Sequence, residues 1–204
     1  MLDDTIIAVA TPPGMGGLGV VRISGRKAAA IGARLFEPKK KTDKPFQARR
    51  PAFGFVRDGR RGAVLDEALM TYFRAPHSYT REDVVELSCH GSPAVLEAII
   101  RQGVRAGARP AEPGEFTLRA YLHGRLDILQ AEAVNDLVRS ASLTQARLSA
   151  RQLGGSLSRR AWRLRARLIA LLSRIEAGLE FPDDGIRRIA SLDRRTLDAL
   201  AAES

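Results

Sequence analysis

Two charged residues sit where apolar strands should carry none. Arg22 interrupts the run Val20-Val21-Arg22-Ile23, and Glu86 interrupts Val84-Val85-Glu86-Leu87. Successive side chains of a strand point to opposite faces, so each charge leaves on the face its neighbours avoid. If that face is solvent, both are ordinary surface charges. If it lines a cleft, they are a cation and an anion in a partly dry site. A carboxylate there accepts two parallel N–H bonds from an amidine-like ring edge. An arginine there binds a carboxylate or an electron-rich carbonyl.

A third charge, Arg125, stands in the stretch 113–134, PGEFTLRAYLHGRLDILQAEAV. Pro113-Gly114 signals a turn. Leu118, Tyr121 and Leu122 then share one helical face, and His123-Gly124 stops that helix, Gly being able to take the left-handed conformation of a stop. Asp127 and Gln130 have capping-box spacing and begin the next helix. Arg125 is thereby presented on a constrained joint between two helix ends. It either grips an anion or pairs with a nearby carboxylate. For Arg22 and Glu86, a reduced pterin with a glutamate tail offers both kinds of group.

The elements that must position these residues change character near residue 120. Before it, residues 5–10 (TIIAVA), 19–24 (GVVRIS), 52–56, 67–73 (EALMTYF) and 83–88 (DVVELS) read as strands, and 26–35 and 93–106 as helices. Two strands, a helix, three strands and a helix predict an α+β domain with a mixed sheet, not a repeating βαβ fold. Residues 38–51 (PKKKTDKPFQARRP) read as a solvated basic loop. After residue 120 the chain is nearly all helix. One amphipathic helix covers 128–138. A second pattern runs over 143–179, with Leu157, Ala161, Leu164, Leu168, Leu172, Ile175 and Leu179 along one face. Gly154-Gly155 interrupts it, either as a kink or as a break between two helices. Residues 191–204 look like the start of a further helix that stops without a partner, the pattern of a chain cut within a domain. The expected domains are therefore 1–120, α+β, and 121–204, an all-α partial helical domain.

Gly14, Gly16 and Gly19 satisfy G-x-G-x-x-G after a strand. The dinucleotide fingerprint then requires a helix. Here the glycines lead into Val20-Val21-Arg22-Ile23, which is strand, so a hairpin loop fits better. Nothing matches G-x-x-x-x-G-K-[ST]. One cysteine, Cys89, excludes an intramolecular disulfide framework and points to a reducing compartment. The three histidines are far apart and supply no metal-binding spacing. The acidic start Met-Leu-Asp-Asp has no apolar run behind it, and no run reaches the ~20 residues of a membrane span. A soluble, cytoplasmic protein is expected. Its 204 residues and 45% hydrophobic content suffice for a real core. The formal charge of +10 reflects either a polyanion partner such as RNA or a proteome rich in arginine. Arg160, Arg163, Arg167 and Arg174 flank the apolar face of 157–179. They either touch RNA phosphates or cover apolar surface with their stems.

Taken together, DTIIAVATPPGMGGLGVVRISG, PHSYTREDVVELSCHG and PGEFTLRAYLHGRLDILQAEAVNDLV, followed by FPDD, resemble the tRNA modification GTPase family known as MnmE or TrmE. The resemblance covers residues 4 to about 184, in the family's order and spacing. It implies an N-terminal folate-binding domain with an aminomethyltransferase-like fold, which also dimerises, and then the first part of a helical domain. It implies that Arg22, Glu86 and Arg125 bind 5-formyltetrahydrofolate or a related tetrahydrofolate, Arg125 standing where the family often has Lys. It implies a homodimer, a MnmG-type flavoprotein partner, and action with that partner on C5 of the wobble uridine of tRNA. GTP, Mg and K belong to a G domain whose loops this sequence does not contain, so no GTP hydrolysis is expected of this chain. No catalytic acid or base is identifiable beyond Glu86. A basic tRNA-binding helical module with a vestigial folate site is the alternative reading.

Overall fold

The computed structural model describes residues 4–40, 46–59 and 62–180, with side chains at the C-terminal end as far as Glu176. The expected helix start at 191–204 and the FPDD segment lie outside the described residues. The chain divides into two compact units, Met1–Leu126 and Asp127–Ser204.

The first unit is built on one sheet. Its strands are β1 (Ile6–Val9), β2 (Gly16–Ser24), β3 (Phe36–Pro38), β4 (Ala52–Arg57), β5 (Val64–Phe73), β6 (Val84–Gly91) and β7 (Arg109–Pro110). Their order is β3-β4-β5-β6-β2-β1-β7. Only β1 and β7 run parallel, so the sheet is mixed, as the element order predicts. Two strands escape the sequence reading. β3 has three residues and β7 two, too few to show an alternation.

Alternation decides which face is the core. Val21 and Ile23 of β2, Val85, Leu87 and Cys89 of β6, and Met70 and Tyr72 of β5 are all buried in one cluster. Helices α1 (Ala28–Leu35) and α2 (Pro93–Arg105) add Ala28, Ile31, Leu35, Leu96 and Ile99 to it. β1 and β2 are antiparallel neighbours; Gly14 lies in the hairpin loop between them, while Gly16 and Gly19 already belong to β2, so the cluster leads into strand and is not a dinucleotide turn.

The short helix α3 (Glu115–Leu122) buries a charged face. Leu118, Tyr121 and Leu122 do share a face, but all three are exposed. The buried face carries Glu115, Arg119 and Ala120. Arg119 is only 1% exposed and pairs with Asp4, Glu82 and Glu115. It also donates to the Asp4 carbonyl at 2.9 Å. Arg109 of β7 joins the same network, bonding Asp4 at 2.7 Å and Glu115 at 2.7 Å. A guanidinium out of water is tolerable only when its N–H groups are satisfied, and here three carboxylates and a carbonyl do so.

The network shifts the titration of its members. Burial pushes the Glu115 carboxyl up, but the Arg109 guanidinium, the Glu112 backbone N–H and Arg119 more than offset this and hold it at about 2. Asp4 is held low chiefly by its bond to Arg109.

The second unit is helical. It contains α4 (Ile128–Val138), α5 (Leu143–Leu153) and α6 (Ser156–Glu180). The Asp127 side chain accepts from the Gln130 backbone while Gln130 reaches back to Asp127, the capping box read in the sequence. Gly154-Gly155 separates α5 from α6, which settles the kink-or-break alternative as two helices. Gly155 takes φ +76°, a conformation costly for any residue with a Cβ. The apolar stripe of α6 is exposed at Leu157, Leu164, Leu168, Leu172 and Ile175, whereas Leu171 is buried.

Two tests follow from the network. A carboxyl whose folded pKa lies below its ordinary value contributes stability above the ordinary value and loses it as pH falls through the folded one. The first unit should therefore lose thermal stability between pH 4.5 and about 2, by up to about 3 kcal/mol after discounting for partial solvation. Glu115→Gln should be less stable at neutral pH and should flatten that slope in calorimetric scans. In urea titrations, Arg119→Met should destabilise the unit by about 3–5 kcal/mol, since it strands buried carboxylates. Leu118→Gln should cost under about 0.5 kcal/mol. The reverse order of the two would put the apolar face of α3 in the core instead of the charged one.

Candidate functional site

The face of the sheet away from α1 and α2 carries a row of cross-strand neighbours. Register sets Ala8 beside Arg22, Arg22 beside Glu86, and Glu86 beside Thr71. The row is polar at its centre because Arg22 and Glu86 hold the off-core positions of their strands. They form an ion pair, Arg22 Nε to Glu86 Oε1, at 2.8 Å, and each side chain is 25% exposed. Neither is a freely solvated surface charge. The bond engages one of the five N–H donors of a guanidinium.

Two aromatic rings lie against Arg22. The Arg22 guanidinium carbon lies 5.3 Å from the centroid of the Tyr79 ring and 5.5 Å from that of Phe116. Both are within the range of cation–π attraction. Tyr79 belongs to the loop 74–83 between β5 and β6, and Phe116 to the first turn of α3. Both positions depend on the buried network. Glu82, at the far end of the loop, is bonded to Arg119 at 3.1 Å. Within the loop, the Thr80 hydroxyl meets Ser24 at 2.6 Å, and Ser24 also donates to Glu82 at 2.7 Å. The Tyr79 hydroxyl bonds the Thr117 hydroxyl of α3 at 2.9 Å.

The joint after α3 is ordered by its own backbone. Gly124 takes φ +70°, and the Arg125 N–H then donates to the Ala120 carbonyl at 2.8 Å. A side chain at that glycine would force a left-handed residue into the stop. The joint grips the loop 74–83 through three further bonds. His123 Nδ1 meets the Thr80 carbonyl at 2.6 Å, Arg81 donates to the His123 carbonyl at 3.0 Å, and Arg125 donates to the Tyr79 carbonyl at 3.3 Å. The Arg125 guanidinium also lies over the Tyr79 ring, at 4.7 Å.

All three sequence-predicted residues thus fall at one end of the first unit. Arg22 and Glu86 touch directly. Arg125 reaches them through Tyr79, whose ring meets both arginines. Among the described residues Arg125 forms no ion pair. Sequence reasoning missed Tyr79, Phe116 and Thr117. Each lay within a quoted motif, but nothing in the spacing of PHSYT or GEFTLR shows that these segments meet.

The arrangement has a definite chemical capacity. A half-buried carboxylate accepts N–H groups, a guanidinium beside it donates, two rings offer faces, and an exposed guanidinium waits at the joint. No group of His, Cys, Asp and Glu suited to a metal ion occurs among the described residues. Cys89 is buried, and desolvation pushes its thiol up to about 11, so it is no nucleophile. None of the described helices is long and apolar enough to cross a membrane.

In the second unit the exposed face of α6 is basic and apolar together. Arg163 and Arg174 are exposed. Trp162 is 59% exposed, with the Arg165 guanidinium 5.2 Å from its ring.

Comparison with known proteins matches both units. The family described as "GTP-binding protein TrmE N-terminus" matches residues 5–125, and that described as "MnmE helical domain" matches residues 128–202. Among curated relatives, the "tRNA modification GTPase MnmE" of Koribacter versatilis (strain Ellin345) is 48% identical over 188 residues, which is 91% of this chain and 40% of the relative. The protein of the same name from Roseiflexus castenholzii is 48% identical over 187 residues, 91% of this chain and 39% of the relative. That of Thermus thermophilus is 45% identical over 202 residues, 99% of this chain and 46% of the relative. The chain thus spans less than half the length of these relatives. It belongs to the MnmE/TrmE family, carrying that family's N-terminal domain followed by its helical domain.

Proposed function

We propose that this chain supplies the folate-binding and dimerising part of a tRNA modification GTPase. The observation that carries the reading is the half-buried Arg22–Glu86 pair, with the Tyr79 and Phe116 rings against Arg22 and with Arg125 at the neighbouring joint. A reduced pterin with a carboxylate tail matches that set group by group. Glu86 would take the amidine-like ring edge, Arg22 a carbonyl, the Phe116 ring the pterin face, and Arg125 the tail. A 5-formyltetrahydrofolate-type ligand would supply a one-carbon unit. The chain's own residues would bind and orient it, and none is assigned an acid or base role. In this reading the protein works in the cytoplasm as a homodimer. It acts with a MnmG-type flavoprotein on C5 of the wobble uridine, while GTP, Mg and K serve a G domain outside this sequence.

Calorimetric titration with 5-formyltetrahydrofolate tests the site. Losing a buried charge-assisted contact costs roughly 1.5–3 kcal/mol, so Glu86→Gln should weaken binding about tenfold or more. Arg22→Ala and Arg125→Ala should weaken it too. Unchanged affinity in all three variants sinks the assignment.

The exposed arginines of α6 favour a second reading, a tRNA-binding helical module. Contacts made by Arg163 and Arg174 would be to phosphates and indifferent to sequence. Replacing both with Gln should weaken all tRNAs alike and flatten the salt dependence by up to about two units of slope. A folded variant with the same salt slope would leave these arginines a structural role.

A further inference from the structure

The two arginines of the site are not equally supported. Arg22 rises from the middle of a strand, is tied to Glu86 at 2.8 Å, and has the Phe116 ring against it as well as that of Tyr79. Arg125 is exposed. Its guanidinium is anchored on Tyr79, by the carbonyl at 3.3 Å and by the ring at 4.7 Å. Removing the Tyr79 ring therefore leaves Arg22 with two of its three supports and Arg125 with a single long bond.

The Tyr79 ring is itself held from two sides. Its hydroxyl meets Thr117 at 2.9 Å. The residues after it are locked to α3 and its joint through His123, Arg81 and Arg119. Arg81 takes φ +61° there, a strained conformation that persists only where the surroundings over-determine it. A ring fixed this firmly is a spacer, setting the separation between the cation on the sheet and the cation at the joint.

From this we infer that Tyr79 is a specificity-determining positioning residue. It holds Arg125 at a set distance from the Arg22–Glu86 pair, so that the site selects a ring that carries an anionic tail over the same ring without one. The inference rests on the folate reading above and deepens it. The ring face and edge are served by Arg22, Glu86 and Phe116, whose placement survives without Tyr79. The tail is served by Arg125, whose placement does not.

The test titrates the full chain and its variants with two probes, 5-formyltetrahydrofolate and the tail-less 6-methyltetrahydropterin. In parallel, the Arg125 Nε–H resonance is followed by NMR without ligand. Tyr79→Leu should bind 5-formyltetrahydrofolate about fivefold more weakly, the scale of a cation–π contact at an exposed site. It should change 6-methyltetrahydropterin affinity by less than about twofold. Tyr79→Phe keeps the ring and should recover most of the loss. Without ligand, the Arg125 signal should carry a ring-current shift in the wild type and in Tyr79→Phe, and lose it in Tyr79→Leu. Equal losses for both probes would make the ring merely structural and overturn the inference. So would an unaffected Tyr79→Leu, or a Tyr79→Phe as damaged as Tyr79→Leu. In each of these cases the wild type still binds folate, and the site reading stands. If the wild type binds neither probe, the site reading falls and the specificity claim with it.

Discussion

A single buried guanidinium organises the first unit. Arg119 is enclosed by Asp4, Glu82 and Glu115, which come from the chain start, the loop before β6 and α3. These segments are far apart in sequence. Burying a charge without partners would be prohibitive, so the three segments converge or Arg119 cannot be inside. The groups that surround the Arg22–Glu86 pair hang from that convergence. α3 brings Phe116 and Thr117, the loop brings Tyr79, and the end of α3 brings Arg125. An apolar residue in place of Arg119 could fill the same volume. It could not dictate which three segments meet, because apolar contact has no direction.

The Arg22–Glu86 pair has a different character. It is only partly buried and makes one bond at 2.8 Å, so it holds little energy of its own. Its value is in its availability. The carboxylate and the guanidinium keep unused bonding capacity, and both sit on strands whose opposite faces are locked in the core. The Arg119 network is saturated and structural, whereas the Arg22–Glu86 pair is open and exchangeable. That contrast separates framework from site among charged residues that look alike in the sequence.

The second unit contrasts with the first in what it buries. Its first two helices are well started, with a full capping box at Asp127 and a Ser142 side chain accepting from Gln145. Yet α6 leaves most of its large apolar residues exposed. Side-chain capping marks the starts of α4 and α5. Caps satisfy backbone groups within one turn and work whether or not a partner covers the apolar stripe.

What the sequence determined by itself was local. The stop at Gly124, the capping box at Asp127, an interruption at Gly154-Gly155 and the off-core placement of Arg22 and Glu86 all follow from backbone chemistry within a few residues. So did the order of the main strands, because alternation is visible in runs of five or more. The brief strands β3 and β7 were hidden for want of length. Only the tertiary structure decided what lies across from what. Arg22 and Glu86 are 64 positions apart, and the register of β2 on β6 joins them. α3 buries its charged face because Asp4 and Glu82 arrive to meet Arg119, which no periodicity within its eight residues can announce. Tyr79 stands between two arginines because a loop and a helix end are pinned together. Hydrogen-bond and ion-pair partners are selected through space, and a linear pattern shows a residue's capacity to bond without showing which partner the fold brings within reach.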